Sequence, residues 1–90
     1  MNRIQKQALA AVRDGADIYS YALAGTLRKI ERDHPEMIHI GEPQMYKGDG
    51  TDRVPYFGAI ATEAGRDACS EFSADEWDLL TTDEQISEMR

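Results

Sequence analysis

Three basic side chains lie within five residues of one another, at Arg28, Lys29 and Arg32. Lysine and arginine neutralise phosphates, and this neutralisation supplies the salt-dependent part of nucleic-acid binding. Glu31 and Asp33 interrupt the same stretch, so the alternative is an ordinary solvated helix face on which residues three and four apart form ion pairs. The basic cluster therefore indicates either a surface that binds phosphates or a helix face whose basic and acidic side chains pair with one another.

The overall charge of −7 opposes nucleic-acid binding, but that charge is unevenly distributed. Residues 1–70 carry nine Lys or Arg side chains against ten Asp or Glu side chains, a net charge of −1. Residues 71–90 carry one Arg against seven carboxylates, a net charge of −6. The acidity thus belongs to a tail, and the local arrangement of charge in the body decides which partners it suits.

Catalytic and metal-binding chemistry finds little support in the sequence. Cys69 is the only cysteine, and its alanine neighbour favours a small buried apolar group over a reactive thiol. His34 and His39 lie near Asp33, but their spacing matches no known metal-ligand frame. Neither a nucleophile elbow nor a phosphate-binding glycine loop occurs. We therefore expect no enzymatic activity, no metal and no cofactor.

The elements that must position the basic cluster follow from the apolar periodicity. Residues 3–13 and 17–33 each place apolar side chains at helical spacing. The second segment is either one helix, from Ile18 to Asp33, or two short helices separated near Gly25, because glycine weakens a helix interior. Pro35 ends this segment.

A β-hairpin and another helix come next in the sequence. Residues 37–40 alternate as in a half-buried strand, and residues 47–52 contain turn residues at almost every position. Residues 54–61 form the returning strand, and Thr62 is placed to cap the following helix. Tyr46, Tyr56 and Phe57 could stack on bases, although sheet packing is the commoner role of such aromatics. These elements predict a small α+β fold.

The acidic tail contains two stretches of the capping-box form, starting at Ser73 and Thr81, so we expect two short helices there. Trp77 and Leu80 are candidate partner-binding residues. Three interpretations of the tail stay open: a solvated end, a segment that packs on the body or on a second subunit through these two side chains, or a nucleic-acid mimic that competes for a basic surface.

The order helix, helix, helix, strand, turn, strand, helix resembles the winged helix-turn-helix fold of bacterial transcriptional regulators. The residues that carry the resemblance are Leu27 to His34, the strand Met37 to Ile40, and the run Tyr56 to Ala68, in which Thr62 to Arg66 is similar to the helix-start motif T-x-A-G-[RK]. It covers residues 4–72.

The resemblance implies a DNA-binding surface. Thr26 to Asp33 would occupy the recognition-helix position, with Arg28, Lys29 and Arg32 directed toward the bases of double-stranded DNA. Lys47 and Arg53, which flank the wing turn, would contact the DNA backbone or the minor groove. The alternative is a protein-interaction module or small inhibitor that has the same fold without DNA binding.

The domain organisation is one winged-helix-like domain, residues 1–72, followed by the acidic helical tail, residues 73–90. The sequence contains no apolar run near the roughly 18 residues that cross a membrane, and its first residues lack a secretory core, so we expect a cytoplasmic protein. A monomer and a homodimer are both compatible with it.

Overall fold

The protein was analysed as a computed structural model, which describes residues 1–15, 21–41, 44–45, 55–56 and 58–88 of the 90-residue chain. These residues form a mixed helix and strand fold, which confirms the predicted α+β class. The elements in chain order are helices α1 (Arg3–Arg13) and α2 (Tyr21–Asp33), strands β1 (Ile38–Ile40), β2 (Gln44–Met45), β3 (Pro55–Tyr56) and β4 (Ala59–Ala61), and helices α3 (Glu63–Ala68), α4 (Asp75–Asp78) and α5 (Thr82–Ser87).

Helix α1 lies at the centre of the fold and contacts α2, α3, α4 and β4. Asn2 caps its first turn: the side chain accepts a hydrogen bond from the backbone of Gln5, and the Gln5 side chain accepts one from the backbone of Asn2. Every residue from Gln7 to Val12 is buried. Because the polar Gln7 is buried along with the apolar residues, α1 is covered on more than its apolar face.

Helix α2 is continuous through Gly25, so the described part of this segment forms one helix and is not broken there. Leu23, Leu27 and Ile30 are buried at helical spacing, and their packing against α1 and β1 outweighs the roughly 1 kcal/mol that glycine costs in a helix interior. The helix ends at Asp33, two residues before Pro35, as predicted.

Strands β1 and β4 pair antiparallel, with Ile38 opposite Ala61 and His39 opposite Ile60. Ile38 and Ala61 are buried while His39 and Ile60 are exposed, so the predicted alternation of faces is confirmed. Strands β2 and β3 pair with Gln44 opposite Tyr56, a register shifted by one residue from that of β1 and β4.

Helix α3 is fastened to the start of β1 through Thr62. The Thr62 hydroxyl accepts a hydrogen bond from the Gly65 backbone at 3.1 Å and donates one to the Glu36 carbonyl at 2.6 Å. The Thr62 backbone also donates to the Met37 carbonyl at 3.1 Å. The predicted cap at Thr62 is therefore confirmed. Its hydrogen bonds also join the end of β4 to the segment between α2 and β1.

The tail helices pack on the body. Trp77 in α4 is 3% exposed and lies in the same core as Leu9 and Cys69. The second predicted capping box is confirmed, because Thr81 and Glu84 cap each other's backbone at the start of α5. The first is wrong: α4 has Ala74 at its N-cap position without a side-chain cap, and Asp14 accepts the Ala74 backbone hydrogen bond instead, at 3.2 Å.

Candidate nucleic-acid interface

The outward face of α2 carries the predicted basic residues. Burial of Leu27 and Ile30 fixes the rotation of the helix, so Arg28 and Arg32 lie on the exposed side. The Arg32 side chain is 67% exposed, and its Nε atom is 3.1 Å from Oδ1 of Asp33. The hydrogen bond from Arg32 lowers the pKa of Asp33, which keeps that carboxylate charged beside the arginine.

Lys29, between these two arginines, faces the tail. Its Nζ atom is 3.2 Å from Oε2 of Glu88, and the two side chains are 25% and 15% exposed. The other carboxylate oxygen of Glu88, Oε1, accepts a hydrogen bond from Nδ2 of Asn2 at 2.5 Å. Donors from α2 and from the cap of α1 therefore converge on one carboxylate.

A second ion pair lies next to this carboxylate. Nη2 of Arg3 is 3.1 Å from Oε2 of Glu84. The backbone of Thr81 and the side chain of Arg3 both donate to Glu84, and together they lower its pKa, with the Thr81 backbone as the larger cause. We call the set of Asn2, Arg3, Lys29, Glu84 and Glu88 the carboxylate clasp, because it holds α5 against α1 and α2.

The clasp connects α5 to α1 and α2 through charged and polar side chains. No residue of this helix is fully buried, and Ile86 is the member that packs, partly buried, against the core. Helix α4 is held differently, through the buried Trp77, and the Trp77 carbonyl accepts a hydrogen bond from Nε2 of Gln85 at 3.0 Å. The tail thus has a firmly packed first half and a second half held mainly by charge.

The structure places the two candidate partner-binding residues inward. Trp77 is in the core, and Leu80 is partly buried against it. The neighbouring Leu79 is 81% exposed instead. Of the three interpretations of the tail, the geometry of α4 corresponds to packing on the body through these side chains. Among the candidate DNA-binding residues, Lys47 and Arg53 lie outside the described residues, as do the aromatics Tyr46 and Phe57 and the side chain of Tyr56.

Other reactive groups in the described residues serve the fold. Burial raises the pKa of the Cys69 thiol, so the side chain stays neutral in the core, in agreement with the prediction of a small buried apolar group. The described residues contain no group of three metal-ligating side chains, and none of the helices among them is long and apolar enough to span a membrane.

Among the members of the clasp, the sequence points to Lys29 alone as a candidate site residue. The spacing of Asn2 and Gln5 is a capping-box signal, and it could have identified Asn2. Glu84 was recognised as a cap but not as the partner of Arg3. No local pattern identifies Glu88, because its partners Asn2 and Lys29 are 86 and 59 residues away in the sequence.

The comparisons with known proteins find no matching family model, no matching curated protein and no matching solved structure.

Proposed function

We propose that this protein binds double-stranded DNA through the exposed face of α2, as a small regulator of the winged-helix type. The observation that carries the proposal is the orientation of α2, which buries Leu27 and Ile30 and directs Arg28 and Arg32 outward directly before the hairpin. The resemblance of the sequence to winged-helix regulators supports the same surface.

The dimensions of α2 suit the proposal. Its 13 residues span about 20 Å, and a helix of this length fits the major groove. Arginine is the side chain best shaped for bidentate contact with guanine, and the two exposed arginines lie one turn apart on the helix. In the proposed complex Lys29 contacts a phosphate, and Lys47 and Arg53 contact the backbone from the hairpin.

The neighbouring carboxylates limit the affinity. Asp33 pairs with Arg32, and Glu31 lies between the basic residues in the sequence, so a contact of Arg32 with DNA must replace an existing ion pair. With about three phosphate contacts, the logarithm of the association constant should fall with the logarithm of salt concentration with a slope of roughly −3.

A fluorescence-anisotropy titration with mixed-sequence duplexes at low salt tests the proposal. Arg28→Ala and Arg32→Ala should each weaken binding by about tenfold if they contact bases. Arg66→Ala is the matched control, since Arg66 is exposed on α3, which contacts α1 and β4 rather than α2. Absence of binding at tens of micromolar protein, or equal effects of all three substitutions, would contradict it.

A protein-interaction module is the second candidate, and the exposure of Leu79 favours it. Leu79 is 81% exposed, and exposed carboxylates at Asp75, Asp78 and Asp83 lie on the helices on either side. Such a surface suits a basic protein partner with an apolar contact. Leu79→Ser should weaken that partner's binding and leave the DNA titration unchanged, whereas Arg28→Ala should do the reverse.

A further inference from the structure

We infer that Glu88 occupies the position at which a DNA phosphate binds, so that the carboxylate clasp competes with DNA for Lys29. This inference rests on the proposed function, because it assigns a regulatory element to the α2 surface. The ligand class is an oxyanion: Glu88 presents two negatively charged oxygens to an amide donor and an ammonium donor, and a phosphate presents the same chemistry.

Asn2 and Lys29 form a small anion-binding site that the Glu88 carboxylate of the same chain occupies. Asn2 and Lys29 come from separate helices, and each donates to a different oxygen of the same carboxylate, at 2.5 and 3.2 Å. The partial burial of both Lys29 and Glu88 reduces solvent screening of this pair. A phosphate that takes the place of the carboxylate beside Asn2 and Lys29 must displace Glu88, so in this proposal the two anions compete for the same donors.

Release of α5 is inexpensive compared with unfolding of the protein. Besides the Glu88 contacts, α5 is held by the partly buried Ile86, by the hydrogen bond from Gln85 to the Trp77 carbonyl, and by the ion pair of Arg3 with Glu84, which lies at the surface and contributes little. Trp77 stays buried in α4 when α5 detaches, so the core is retained. Residues 82–88 can therefore dissociate as a local unit.

Detachment also changes the charge around α2. In the closed form Glu88 neutralises Lys29, and Glu84 neutralises Arg3 near the cap of α1. In the open form Lys29 joins Arg28 and Arg32 in one basic surface, and two carboxylates move away from it. The open form should consequently bind a polyanion more tightly than the closed form.

The test compares Glu88→Gln with Asp83→Asn. Both substitutions remove one negative charge from residues 82–88, but the exposed Asp83 is not a member of the carboxylate clasp. The proposal expects Glu88→Gln to tighten duplex binding by three- to tenfold in anisotropy titrations at low salt, and Asp83→Asn to change it by less than twofold. Lys29→Gln combined with Glu88→Gln should remove the gain.

Each outcome has a distinct meaning. If the wild type binds DNA and the two single variants bind equally well, the clasp does not compete with DNA, and the inference is overturned while the proposed function stands. If no variant binds DNA, the proposed function is overturned and the inference with it. Titration of Glu88→Gln with inorganic phosphate, followed through the Asn2 side-chain amide NMR signal, distinguishes free phosphate from DNA as the ligand. If the signal responds to DNA but not to inorganic phosphate, the site requires the nucleic-acid backbone.

Discussion

The α-carbon of Gly65 lies directly against the backbone of Met37. A Cβ atom at residue 65 would be 3.0 Å from the Met37 carbonyl carbon, closer still to its oxygen, and 3.3 Å from Cδ2 of Leu9. The contact joins α3 to the start of β1, at the place where the Thr62 backbone donates to the same Met37 carbonyl. Glycine is required here because the two backbones approach too closely for any side chain.

We expect Gly65→Ala to lower the free energy of unfolding by about 2–3 kcal/mol, since the added methyl group forces α3 away from β1. Urea denaturation followed by circular dichroism measures the change. Gly58→Ala is the matched control: the same methyl group meets nothing within 4 Å there, so stability should change by less than about 0.5 kcal/mol. Equal losses of stability at both glycines would show that the close approach of Gly65 to Met37 does not explain why residue 65 is a glycine.

Thr26 offers a substitution that should stabilise the protein. Its side chain is fully buried in α2, and its hydroxyl has no hydrogen-bond partner among the described residues. Thr26→Val replaces the hydroxyl with a methyl group of similar size, and we expect the free energy of unfolding to rise by about 1 kcal/mol. Chemical denaturation provides the measurement.

The same substitution should have the opposite effect at Thr62. There the hydroxyl caps α3 and donates to the Glu36 carbonyl, so Thr62→Val should lower the free energy of unfolding by about 1 kcal/mol. If both substitutions lower the free energy of unfolding, the Thr26 hydroxyl must make a stabilising interaction in the core, and the prediction for Thr26 is wrong.

Arg13 joins α1 to the segment that follows α3. Its guanidinium donates to the Cys69 carbonyl at 2.9 Å and to the Phe72 carbonyl at 2.6 Å, and Asp14 holds the other edge of the group. Arg13→Gln should lower the free energy of unfolding by about 1–2 kcal/mol, because two carbonyls lose a charged donor. Arg66→Gln, at an exposed position on α3, should leave thermal and urea unfolding nearly unchanged.

Acid should loosen the tail. Hydrogen bonds from Arg13 to Asp14 and from the Thr81 backbone to Glu84 lower the pKa of each carboxyl group. A lowered folded-state pKa means that the stabilisation is complete above the ordinary pKa, near about 4, and is lost as the pH falls through the folded-state value. Trp77, the only tryptophan, reports the packing of α4 through its fluorescence, and Asp14 accepts the Ala74 backbone hydrogen bond at the start of that helix.

We therefore expect the Trp77 emission to be constant between about pH 5 and pH 7 and to shift toward longer wavelength below about pH 4. Glu84→Gln mimics the protonated state of that group and should reduce the pH dependence of unfolding. A shift that instead begins near pH 6 would point to a histidine and contradict this assignment.

Local patterns in the sequence predicted the elements well wherever one face of an element is buried. The bounds of α1, the stop before Pro35 and the alternation of Ile38 with His39 all follow from periodicity and capping. Gly25 shows the limit of propensity: Leu23 and Leu27 pack on both sides of it, and this tertiary packing keeps the helix continuous.

The clasp could not be predicted, because it depends on contacts between distant parts of the chain. Gln7 shows the same dependence on distant contacts. Its polar side chain is buried because α4 of the tail packs against α1, where Glu76 accepts its hydrogen bond at 3.3 Å. Lys29 likewise has local acidic neighbours, yet its ion pair is with Glu88. Charge patterns identify which groups can pair, but the fold decides which of them meet.

The central position of α1 has a consequence for synthesis on the ribosome. This helix precedes α3 and α4 in the chain, yet its surface is covered by both of them. Until residues up to Trp77 have emerged, the side of α1 that α4 covers stays exposed, and exposed apolar surface on incomplete chains favours aggregation. The burial of α1 is therefore complete only after α4 has been translated.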